Sequence, residues 1–140
     1  MRCRVTVDPV DITVEATTDE PILQSLLRRG VMVPHGCRHG DCARCKALVT
    51  EGRVEMAPGY SRYALMDHER SEGYALLCSA RPCGNVCVEL DTTEEVVVDE
   101  SRAVREWQAE VVARHQLTSD VWELELSVDP ELNHAAGQYV

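Results

Sequence analysis

Phenylalanine is absent from the 140 residues, so aliphatic side chains must fill the core of a chain that is 44% hydrophobic. No apolar run approaches the roughly 20 residues needed to cross a bilayer, which excludes a membrane span. The opening MRCRVTVDPV has no continuous apolar stretch and does not read as a signal peptide. A cytoplasmic protein is therefore expected. Basic side chains are scarce. Fourteen Lys and Arg face 24 Asp and Glu, a net charge of −10 that argues against nucleic acid as a partner. Internal repeats and low-complexity segments are missing. So is any G-x-G-x-x-G or P-loop glycine pattern for phosphates. Ser61 and Ser79 sit in no nucleophile motif, and acidic pairs such as Glu94-Glu95 read as solvated charges. Nucleophilic and acid–base catalysis thus lack a carrier.

Cysteine, by contrast, is plentiful, with seven residues. In a reducing compartment that number argues for metal binding over disulfides, and an odd count suits a disulfide framework poorly. The charge is also uneven. Residues 1–98 carry 11 basic and 15 acidic side chains, whereas residues 99–140 carry 3 and 9, so the segment holding the cysteines is the less acidic one.

Alternation marks the first elements. Cys3, Val5 and Val7 alternate with Arg2, Arg4 and Thr6, and after a turn at Asp8-Pro9, Ile12, Val14 and Ala16 alternate with Thr13, Glu15 and Thr17. This reads as a hairpin. Ile22, Leu23, Leu26 and Leu27 form an apolar stripe at helical spacing, with Thr18 or Asp19 as cap, Pro21 near the first turn and Gly30 as the stop. Val31–Val33 is short and apolar. A strand is expected at Ala47–Val49 and a short helix from Ser61 through Met66. Tyr74–Leu77 runs apolar into Cys78, and Val86, Val88 and Leu90 mark a last strand. The order predicts an α+β sheet with a helix packed across it. Asp91–Glu106 is polar and acidic and reads as a linker. Beyond it Trp107, Ala109 and Val111, then Trp122, Leu124, Leu126 and Val128, alternate as two strands of a new antiparallel unit, too short to close a sheet or barrel.

The loop Cys37-Arg38-His39-Gly40-Asp41-Cys42-Ala43-Arg44-Cys45 is C-x4-C-x2-C, and Cys78 follows 33 residues after Cys45. That is the plant-type spacing of a [2Fe–2S] cluster. Such a cluster needs four thiolates, two for each iron. One loop supplies three, and the fourth comes from a distant segment that ties the loop to the fold. Gly36, Gly40 and Ala43 are small enough for the backbone to come close and aim its N–H groups at sulfur.

Other readings of these residues remain. Four cysteines also hold structural zinc, although the paired C-x2-C units usual for zinc are not both present. A redox C-x-x-C at Cys42 and Cys45 leaves Cys37 and Cys78 idle. Cys83 or Cys87 is an alternative fourth ligand; Cys78 is preferred because it ends an apolar segment anchored in the core. Cys3 reads as a core residue. His35 and His39 read as solvated or hydrogen-bonding residues, and Tyr60, Tyr63 and Tyr74 as packing residues. Arg38, Arg44 and Lys46 form a basic rim around the loop, either simply solvated or a docking edge.

Three stretches, CRHGDCARCKALVTEG, YSRYALMDHERSEGYALLCSAR and the final AAGQYV, resemble the N-terminal part of the reductase component of bacterial multicomponent monooxygenases, of the methane, propane and phenol hydroxylase type. The resemblance implies a β-grasp ferredoxin domain at 1–98, a linker at 99–106, and the first strands of a ferredoxin-reductase-type FAD-binding β-barrel at 107–140. It implies that Cys37 and Cys42 hold one iron and Cys45 and Cys78 the other. It implies electrons passing from NAD(P)H to FAD, to the cluster, and on to an oxygenase component, a diiron hydroxylase. The flavin-gripping motif and nicotinamide domain of that family lie beyond these residues, so the sequence reads as a fragment, with FAD expected in the full-length parent and these residues acting as an electron carrier. Reductases of ring-hydroxylating dioxygenases share the loop and the domain order. A free-standing ferredoxin carrier is a further reading, against which the strands after the linker argue.

Overall fold

A computed structural model describes residues 1–91 and 96–128. The chain divides into two units, 1–104 and 105–140. The first begins with the expected hairpin of β1 (Arg2–Asp8) and β2 (Ile12–Thr17), which pair antiparallel with Val5 opposite Val14. Period-two alternation turns Cys3, Val5, Val7, Val14 and Ala16 inward, and all five are buried.

Helix α1 (Ile22–Arg28) buries Ile22, Leu23, Ser25, Leu26 and Leu27. It starts later than the sequence suggested. Pro21 holds the N-cap position with φ −62° and ψ 145°, and no side chain caps the helix. Proline's fixed φ suits this boundary, and Thr18 instead lies in a turn, its amide bound to the Met1 carbonyl. The chain continues through β3 (Val31–Met32), β4 (Lys46–Glu51) and β5 (Val54–Met56). A helix was expected from Ser61 to Met66. The structure has turns there, held by the amides of Ala64 and Leu65 on the Ser61 carbonyl, and places helix α2 at Asp67–Ser71. Ala64 and Leu65 are buried, whereas α2 has no buried residue. Apolar side chains therefore draw the turn into the core and leave the helix on the surface.

Then come β6 (Tyr74–Leu76), β7 (Ala80–Pro82), β8 (Val86–Glu89) and β9 (Val97–Val98). Among the described residues, five strands form one sheet in the order β2-β1-β8-β4-β6, with β1 and β8 parallel at its heart. Helix α1 packs against β2 and β3. This is the β-grasp arrangement, a mixed sheet holding one helix. Two small antiparallel pairs, β3 with β9 and β5 with β7, complete the unit.

The segment read as a linker is partly docked on this unit. β9 pairs with β3, the Asp99 amide donates to the Gly30 carbonyl at 2.9 Å, and the Val104 amide donates to the Leu27 carbonyl at 2.9 Å. Backbone pairing thus ties an acidic stretch that carries no long apolar pattern.

In the second unit β10 (Ala109–Gln116) and β11 (Trp122–Val128) form an antiparallel hairpin with an irregularity between Val111 and Ala113. Trp107 precedes β10 instead of opening it. Arg114 stacks over the Trp122 ring with 4.7 Å to its centroid. Glu94-Glu95 and AAGQYV lie outside the described residues. Among the described residues, no helix is long and apolar enough to cross a membrane.

Candidate functional site

The C-x4-C-x2-C loop fills the gap between β3 and β4. Three residues bend it through positive φ: Arg38 at 62°, Gly40 at 91° and Ala43 at 60°. These bends turn backbone N–H groups toward sulfur. Asp41 N donates to Cys37 Sγ at 3.3 Å, and Cys42 N to the same sulfur at 3.4 Å. Cys37 N donates to Cys42 Sγ at 3.4 Å.

The glycines are needed where the sequence placed them. A Cβ on Gly36 would meet Cys42 Sγ at 3.2 Å. On buried Gly40 it would meet Tyr60 Cβ at 2.6 Å and Ser79 Oγ at 3.1 Å. The loop is pinned from outside as well: Ser61 N donates to the Gly40 carbonyl at 3.1 Å, and Leu77 N to the Cys45 carbonyl at 2.9 Å.

The four predicted cysteines come together as two pairs. Cys37 and Cys42 face each other near the surface. Cys45 and Cys78, 3% and 9% exposed, both lie in the core, on segments brought side by side where the Leu77 amide binds the Cys45 carbonyl and Lys46 pairs with Leu76. Among the described residues, no three or more His, Cys, Asp or Glu side chains converge as a single metal ion requires. A [2Fe–2S] group takes two thiolates on each iron, four in all.

The electrostatics of the pairs differ. The backbone N–H groups of His39, Asp41 and Cys42 lower the Cys37 thiol from 9.0 to about 6. Burial pushes the Cys45 thiol up to about 12. A buried thiolate is costly alone, whereas a coordinated metal removes the thiol proton outright. Donor chemistry, aimed amides and the glycine cradle all fit a [2Fe–2S] group.

The remaining cysteines lie elsewhere. Cys87 sits on β8 and donates from Sγ to Asp8 Oδ2 at 3.0 Å. Cys83 is exposed after β7, and Cys3 is buried in the core. His35 Nδ1 pairs with the Val33 carbonyl at 2.7 Å. His39 Nδ1 pairs with the Cys37 carbonyl at 2.7 Å, and that bond, with the Cys37 and Asp41 charges, raises the His39 pKa. Tyr60 and Tyr74 pack on the core, but Tyr63 is 92% exposed and is not a packing residue.

Lys46 also departs from its expected place on the open rim. Its ammonium pairs with Glu69, both side chains being mostly buried at 19% and 18% exposure. Glu69 also accepts the Met66 amide at 2.8 Å, so α2 is tied to the residue that follows Cys45. Sequence reading missed Glu69 because its helix has no apolar stripe; Met66-x-x-Glu69 was the available signal, obscured by a methionine where a cap would carry oxygen.

Comparison with known proteins converges on the same loop. The family model described as "2Fe-2S iron-sulfur cluster binding domain" matches residues 5–83, which contain all four cysteines. The phenol hydroxylase P5 protein of Acinetobacter pittii is 34% identical over 140 residues, covering 100% of this chain and 39% of that protein. The propane 2-monooxygenase reductase component of Mycolicibacterium smegmatis is 34% identical over 138 residues, covering 97% of this chain and 39% of that protein. Among solved structures, the Amycolatopsis reductase GcoB aligns with a TM-score of 0.79 and 29% identity, over 98% of this chain and 39% of that one. The chain thus spans about two fifths of the length of these curated relatives. With the family match covering more than half of its residues and the paired cysteines inside that match, the chain belongs to the 2Fe-2S iron–sulfur cluster binding domain family.

Proposed function

We propose that this chain carries a [2Fe–2S] cluster on Cys37, Cys42, Cys45 and Cys78 and relays single electrons. The observation that carries the reading is the loop that aims its amides at the Cys37 and Cys42 sulfurs, with Cys45 and Cys78 buried on the adjoining segments behind it. When bound, the cluster supplies a one-electron carrier whose potential depends on hydrogen bonding and exposure. The chain's own part is to hold the thiolates, to direct amides at Cys37 and Cys42, and to keep water from Cys45 and Cys78.

The wider role follows from the relatives. The chain is the ferredoxin part of an NAD(P)H-dependent reductase component. Residues 107–140 begin the FAD-binding unit after a linker at 99–106, and FAD and the nicotinamide site belong to the full-length protein. The flavin is the donor, and the acceptor is an oxygenase component of the diiron hydroxylase kind, in the cytoplasm. Phenol hydroxylase and propane monooxygenase relatives at 34% identity support a monooxygenase acceptor over a ring-hydroxylating dioxygenase, the toluate dioxygenase electron transfer component standing at 28%. Exposed Arg38 and Arg44 at the loop rim suit an acidic docking patch on the acceptor.

The test is a cysteine scan of iron content. Serine at Cys37, Cys42, Cys45 or Cys78 is expected to abolish stable iron, while Cys83→Ser and Cys87→Ser retain it. Iron that survives Cys78→Ser and is lost on Cys87→Ser would refute the ligand set.

A further inference from the structure

We infer that Ser79 is a positioning residue for the redox chemistry: its hydroxyl donates a hydrogen bond to the Cys78 sulfur and thereby raises the reduction potential of the centre. This rests on the ligand set proposed above. Ser79 is 8% exposed, and its Oγ lies 3.6 Å from Cys78 Sγ, within hydrogen-bond range for sulfur. Its main chain is held on both sides. The amide donates to the Leu76 carbonyl at 2.9 Å, and the carbonyl accepts from the Ala57 amide at 2.8 Å. The same hydroxyl is the atom that a Cβ on Gly40 would meet at 3.1 Å, so it sits between Cys78 and the cysteine loop.

Between a free thiol and a hydroxyl either atom can donate. A cysteine sulfur bound to iron has no proton, which leaves the Ser79 O–H as the donor of this pair. One-electron reduction adds negative charge to the centre. A buried donor on one of its sulfurs therefore stabilises the reduced form more than the oxidised form. Cys37 and Cys42 receive backbone amides from the loop. Cys78 stands on the far segment, where the Ser79 hydroxyl lies at its sulfur.

The experiment is an anaerobic redox titration of the wild-type chain, Ser79→Ala and Ser79→Thr, with dithionite as reductant and iron counted in each. Visible absorption and low-temperature EPR report the midpoint. Ser79→Ala is expected to hold its iron and to reduce about tenfold less favourably, about 59 mV more negative for one electron. Ser79→Thr keeps the hydroxyl and is expected to stay at the wild-type potential. Should the alanine variant load no iron, Ser79→Gly removes the same donor and is expected to show the same shift. A fully loaded variant lacking the hydroxyl with an unshifted midpoint overturns this inference and leaves the ligand set standing. A wild-type chain with no reducible centre overturns both.

Discussion

The amide of Cys37 donates to the sulfur of Cys42 at 3.4 Å, and the amide of Cys42 donates back to the sulfur of Cys37 at the same distance. The six residues from Cys37 to Cys42 thus close on themselves before any metal is considered. The loop owes this to the positive φ of Arg38, Gly40 and Ala43 and to the turn and Tyr60 packed behind it. Its geometry is therefore sensitive to bulk at Gly40.

Gly40→Ala puts a Cβ 2.6 Å from Tyr60 Cβ on a residue whose φ is +91°. Both the clash and the strained backbone oppose it. The variant is expected to lose about 2 kcal/mol or more of stability and to bind iron poorly. Thermal unfolding and iron content after purification check this. Wild-type values for both would contradict the close-packed loop.

The Lys46–Glu69 pair gives a pH dependence. Lys46 lowers the Glu69 pKa below its ordinary 4.5, helped by the Met66 amide. The ionised form is thus favoured by folding. Its contribution is complete above 4.5 and is lost as pH falls through the lowered value. Glu69→Gln is expected to destabilise the chain at neutral pH, with the gap to wild type closing in acid. Denaturant unfolding by circular dichroism at neutral pH and well below 4.5 measures it. A gap independent of pH would assign Glu69 a packing role.

Arg38 is exposed on the loop, and the chain as a whole carries −10. If the proposed acceptor docks here through acidic groups, Arg38→Glu slows electron transfer to it several-fold at low ionic strength and weakens the salt dependence. Stopped-flow transfer from the reduced chain to the oxygenase component over a salt series tests this. A rate unchanged at all salt concentrations would move the docking edge elsewhere.

Much of this was legible from residue patterns, and the reason is period. Val5, Val7, Val14 and Val88 alternate because one face of their sheet is buried, and Leu23, Leu26 and Leu27 recur at helical spacing because one face of α1 is. The cysteine spacing stood out because the donor types are rare. What escaped reading was short or nonlocal. β5, β7 and β9 run two or three residues, too few to show a period. Lys46 looked like an open rim charge because its partner lies 23 residues away. Ser79 looked inert because its hydroxyl matters only through the position of the Cys78 sulfur.

The central claim is a one-electron [2Fe–2S] centre, and its most direct test is low-temperature EPR of the anaerobically purified chain before and after dithionite, with iron and zinc counted. The account predicts about two irons per chain, visible bands that bleach, and a rhombic half-integer-spin signal only after reduction. A colourless chain that stays EPR-silent after attempted cluster reconstitution and carries zinc in place of iron would contradict it.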